Sequence, residues 1–276
     1  MKTPVAPTDA TPRVNILDRP ANPRQTLIND MLAALKHNWL KYLTEAGALA
    51  TFMISACLIV VLIEYPGSPL YSKIPNDTIR LYIIGAELGL TAYYLVASPW
   101  GKRSGPHMNP AFTLSFFLLG EIGLWDAIFY VVFQFIGGAV GVATSAILIG
   151  APIHHPSVGY VITVPGQSGV MIAFIAEFIM SAALMTLVLL FSNSKRLQPW
   201  IPLMVGILIG AYIAFEAPLS GMSINPARTF ASAMVANQWT SIWVYFTAPV
   251  LGMVLASQTF RYVKTYITMR SSIAGE

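Results

Sequence analysis

The residues that could do chemistry are two short polar runs set in apolar sequence. The first found, Asn225-Pro226-Ala227-Arg228, lies inside residues 220–234, a stretch too short to cross a bilayer. An asparagine side-chain oxygen can take an orphan backbone N–H at a helix start, and proline suits the first helical position, where its missing donor costs nothing. The spacing therefore predicts a helix starting at Asn225. About ten apolar residues follow before Asn237, Gln238 and Trp239, roughly 15 Å of helix against a hydrocarbon core of roughly 30 Å. That describes a half-helix that stops midway. The same phrase, His107-Met108-Asn109-Pro110-Ala111, heads another short apolar stretch. Asparagine amides and a guanidinium bind; they do not make or break bonds.

Three charges fall where lipid would penalise them. Arg228 sits three residues inside its half-helix, where an unpartnered charge costs at least about 2.5 kcal/mol, so it should line a pore. Glu45 and Glu177 lie early in long apolar stretches. A loop entering the membrane exposes backbone N–H groups at depth, and a buried carboxylate accepting them would satisfy both, so a structural role is expected. Glu87 and Glu216 could pair with Arg228 or Arg80 or reach water.

Composition places these groups in a membrane: 55% of residues are hydrophobic and 10% charged, where soluble domains carry about 25% charged residues. The net charge of +4 is spread over span boundaries, so no basic stripe supports nucleic-acid binding. Cys57 is the only cysteine, which excludes an intrachain disulfide and cysteine-based metal sites. His154 and His155 are adjacent without a third ligand and read as solvated loop residues. No histidine lies inside a span to serve as a hydrolase base. No catalytic residue, metal or cofactor is expected, and no signal peptide is visible in residues 1–26.

Six stretches are long enough to span, about 41–63, 79–98, 122–149, 168–192, 199–218 and 240–264,. The expected class is an all-α membrane protein of six spans and two half-helices. Each half (about 41–150 and 168–264) holds three spans and one half-helix, and an odd number of spans inverts the second half. Residues 1–40 read as a tail with an amphipathic helix from Thr26, or equally a helical extension of the first span, and 265–276 as a second tail. Gly137, Gly138 and Gly141 form a face for close helix contact. Lys and Arg before the first span, after the second and fourth (Lys102, Arg103, Lys195, Arg196) and at the end outnumber Lys73 and Arg80 on the other side, so both termini should be cytoplasmic.

Over residues 41–264, the paired Asn-Pro-Ala motifs with Arg228 after the second resemble the major intrinsic protein family, the aquaporins and glycerol facilitators. The resemblance implies a passive channel for water or small neutral solutes in a lipid bilayer, a plasma-membrane location, a homotetramer, and half-helices meeting N-terminus to N-terminus so that Asn109 and Asn225 face the pore. It implies loop-bracing roles for Glu45 and Glu177 and an inner-mouth place for His107. By local alignment the selectivity filter would be Leu88 (or Gly89), Ile213, Met222 and Arg228. Water-selective members resemble one another in a histidine where this chain has Ile213; glycerol facilitators carry Asp where it has Thr229, while Ala233 and Tyr245-Phe246 look like aquaporins. A closed-pore adhesive or scaffolding relative is the alternative.

Overall fold

The chain is seen in a computed structural model that describes residues 23–274; the expectations for residues 1–22 lie outside the described residues. Everything regular among them is helical. Six long helices are apolar enough to cross a membrane: α1 (Pro23–Glu64), α3 (Asp77–Ala97), α6 (Leu124–Ile149), α8 (Val170–Ser192), α9 (Ile201–Ser220) and α11 (Ile242–Ala274). Two half-helices interrupt them, α5 (Pro110–Leu118) and α10 (Pro226–Ala236), with short connectors α2 (Pro69–Lys73), α4 (Pro99–Ser104) and α7 (Ala151–His154). The surface helix expected from Thr26 is not a separate element: no Gly or Pro interrupts residues 24–46, and α1 runs unbroken for 42 residues. At about 1.5 Å per residue it is about twice as long as a hydrocarbon core. Residues 265–274 likewise continue α11.

The helix neighbours repeat between the halves. α1 lies along α6 as α8 lies along α11; α5 packs on α11 as α10 packs on α6; and α3 crosses α9 between the halves. Glycine permits the closest of these contacts. A Cβ on Gly89 would lie 2.5 Å from the Gly206 carbonyl oxygen, and one on Gly141 2.6 Å from that of Ala50. Backbones therefore touch where any side chain would hold them apart.

Both ends of the bundle are tied by polar groups. On the side of the termini, Asn38 Nδ2 and the Tyr42 hydroxyl donate to Asp126 Oδ1, fastening the long start of α1 to α6. On the far side Arg80 donates to Glu64 (3.1 Å), Asp77 (2.7 Å) and the Ile74 carbonyl (3.0 Å), beneath the Tyr71 ring. Of the options for Glu87 and Glu216, pairing with Arg80 is closed because these partners occupy it, and no ion pair with Arg228 forms among the described residues. Glu87 instead accepts from Ser55 and Thr91, and Glu216 is buried with neither oxygen partnered among the described residues.

Candidate functional site

The site grows from the two capping asparagines. Asn109 Oδ1 accepts the Ala111 N–H at 2.9 Å and Asn225 Oδ1 accepts that of Ala227 at 3.0 Å, so each starts its half-helix with Pro110 or Pro226 at the first position. Each amide nitrogen then crosses to the other loop. Asn109 Nδ2 donates to the Ile224 carbonyl and Asn225 Nδ2 to the Met108 carbonyl, both at 2.7 Å. This reciprocal clasp holds the two N-termini together, and Ala111 and Ala227, wholly buried behind the caps, are small enough to allow it. It commits one hydrogen of each amide to a carbonyl and leaves the other.

The carbonyls that receive these bonds belong to strained residues. Met108 (φ 47°) and Ile224 (φ 49°) stand in the left-handed region without being glycine, at a cost of about 1–3 kcal/mol each. Glutamates hold them there. Glu45 accepts the N–H groups of His107 (3.0 Å) and Met108 (2.6 Å); Glu177 accepts those of Ser223 (2.7 Å) and Ile224 (2.6 Å). Both glutamates are fully buried, and the charge-assisted bonds supply the partners that water would otherwise give,.

The asparagines open onto a cavity of about 350 Å³ that runs from Gly105 and Phe116, on the side of the termini, to Ile213 and Arg228. Most of its wall is aliphatic or aromatic, with polar edges from His107, both asparagines and Arg228. Leu88, Ile213, Met222 and Arg228 all line it. Gly89 is not among the lining residues and lies against Gly206 instead, so of the two second-span candidates Leu88 is the one at the cavity. Arg228 Nη1 is buried with no partner among the described residues. His107 stacks on Phe116 with ring centroids 5.0 Å apart and bonds Thr113 through Nδ1. His154 instead meets the Tyr160 hydroxyl and His155 meets Ser157, and no metal-binding cluster occurs among the described residues.

Several supporting residues were missed by sequence reasoning. Tyr130 donates to the Ser104 carbonyl and Tyr245 to that of Ser220, each five residues before a capping asparagine. Gln134 bridges Glu45 and Thr113, and Ser220 donates to Glu177. The available signal was a polar side chain inside an apolar span, which has to find a partner in the bundle.

Known proteins share the sequence pattern and the fold. The model of the major intrinsic protein family matches residues 35–260. The chain is 33% identical over 193 residues to a probable aquaporin TIP2-2 of Oryza sativa subsp. japonica, covering 68% of this chain and 74% of that one. It is 28% identical over 238 residues to aquaporin-4 of Mus musculus, covering 84% and 71%. Its fold is similar to the X-ray structure of an aquaglyceroporin from Plasmodium falciparum, with TM-score 0.68 at 20% identity over 80% of this chain and 94% of that one. Motif, fold and relatives converge: the chain is a multi-pass membrane channel and not an enzyme, and it belongs to the major intrinsic protein family.

Proposed function

We propose that this channel passes water and small uncharged solutes and excludes ions and protons. The observation that carries the reading is the reciprocal clasp of Asn109 and Asn225, which points two helix N-termini at the middle of one cavity. Each N-terminus carries about half a positive charge, so a cation there meets an unfavourable field while a neutral molecule does not. Arg228 adds a full charge where the cavity ends. The remaining amide hydrogens and the guanidinium offer bonds that replace those a solute leaves behind in water.

Leu88, Ile213 and Met222 give the filter around Arg228 an apolar wall. Selection there is by size and hydrophobicity more than by polarity, and a small neutral solute beyond water, such as ammonia, hydrogen peroxide, urea or glycerol, passes appreciably. The assembly is a homotetramer with both termini cytoplasmic in the plasma membrane; the surplus of Lys and Arg on the side of the termini supports that orientation,. One observation favours a closed, adhesive relative instead: Leu88 and Met222 are only 4% and 5% exposed. Stopped-flow light scattering on reconstituted vesicles, comparing water, urea and glycerol, separates the two. The channel reading expects water and at least one solute to exceed empty vesicles, and equality for all three would leave the closed reading.

A further inference from the structure

Behind the wall of the cavity, four side chains are bonded in a row. Glu45 Oε2 takes the Met108 N–H and also lies 2.7 Å from Gln134 Nε2; the same Nε2 is 3.0 Å from Thr113 Oγ1; and Thr113 Oγ1 is 3.0 Å from His107 Nδ1. Glu45, Gln134 and Thr113 are all fully buried, so water cannot settle which atom donates.

Donor and acceptor counting settles it from one end. A carboxylate already fixed by two backbone N–H groups accepts from Gln134, which turns the amide nitrogen toward it and leaves Gln134 Oε1 without a partner,. The second hydrogen of that nitrogen goes to Thr113 Oγ1. Thr113 has one hydrogen to give, and Gln134 Nε2 cannot receive it. The acceptor left to it among its bonded partners is His107 Nδ1. The imidazole proton then sits on Nε2, which has no hydrogen-bond partner among the described residues, on a ring that lines the cavity.

We infer that Gln134 and Thr113 are positioning residues that fix the tautomer of His107, so that it turns an Nε2–H donor into the cavity and its lone pair away. The consequence rests on the channel reading: a solute entering beside Phe116 must offer an acceptor, as water, urea and alcohols do with their oxygens. The same ring has no lone pair facing the cavity with which to take a proton from the passing file. The opposite arrangement, with Gln134 Oε1 against Glu45 Oε2, needs an added proton between the two oxygens.

The test is ¹⁵N magnetic resonance of ring-labelled histidine in the full chain reconstituted in lipid vesicles. His37→Gln, His154→Gln and His155→Gln together leave His107 as the one label of the chain's four histidines. The inference expects a protonated Nε2 and a bare Nδ1, a shift to a mixture of both tautomers in Thr113→Val, and return to the first pattern in Thr113→Ser. A protonated Nδ1 in the unsubstituted background, or a Thr113→Val spectrum unchanged from it, overturns the inference. The spectrum does not depend on conduction. A chain with the expected tautomer that carries no water would sink the proposed function alone, and a conducting chain with the other tautomer would sink this inference alone.

Discussion

Glu45 and Glu177 make the same two bonds in opposite halves of the molecule: each carboxylate takes the backbone N–H groups of the two residues just before a capping asparagine. The bond that Ser220 gives Glu177 is matched at Glu45 by one from Gln134. The carboxylates thus set two strained loops, and the loops present the carbonyls that the asparagines clasp.

Substituting Glu45→Gln or Glu177→Gln puts an amide where two N–H groups converge, and an amide offers one acceptor atom. One loop N–H is left unpaired in a buried place, at about 1–3 kcal/mol. The expected result is lower yield and a reduced midpoint of thermal unfolding in detergent. Wild-type yield and stability with selective loss of transport would instead point to a proton relay.

Glycine substitutions should divide by what their Cβ meets. On α6, Gly137→Ala drives a methyl into the backbone of Ala46, whereas on α1 Gly47→Ala meets nothing within 4 Å. Overpacking against backbone costs about 1–3 kcal/mol, while Gly→Ala in an open helix position gains up to about 1 kcal/mol. Thermal unfolding of the two variants should therefore move in opposite directions, and equal shifts would mean that α1 and α6 are not in backbone contact.

The filter prediction turns on Ile213. Ile213→His supplies a polar edge opposite Arg228 and narrows the passage, so the ratio of urea or glycerol permeability to water permeability should fall. Met222→Ala removes a flexible side chain that can fill the same space, so the ratio should rise. Both are read by stopped-flow shrinkage of vesicles, and an unchanged ratio in both would show that these residues do not form the filter.

Much of this was legible because the decisive chemistry is local. Asn109-Pro110 and Asn225-Pro226 announce helix starts through neighbours in sequence, and Glu45, Glu177 and Arg228 stand out because charge in lipid demands a partner or a water-lined cavity. What was not legible depends on distant segments. That Leu88 lies on the cavity wall and Gly89 against Gly206 needed the crossing of α3 with α9. The roles of Tyr130, Gln134 and Tyr245 needed the loops they reach, and the fate of the asparagine amides needed the opposite half of the chain. Arg80 misled for the same reason, since Asp77, three residues away on its own helix, and Glu64 at the end of α1 take it before Glu87 or Glu216 can.

On the reading proposed above, the clasped asparagines open a continuous path for neutral molecules and a barrier to charged ones. Osmotic shrinkage of vesicles containing the purified chain, recorded over a range of temperatures, tests it most directly when paired with ionic conductance of the same membranes. Such a channel gives water permeability above that of empty vesicles, with an activation energy lower than that of the bare bilayer and no added conductance. Permeability and activation energy equal to those of empty vesicles, or a cation current accompanying the water, would contradict it.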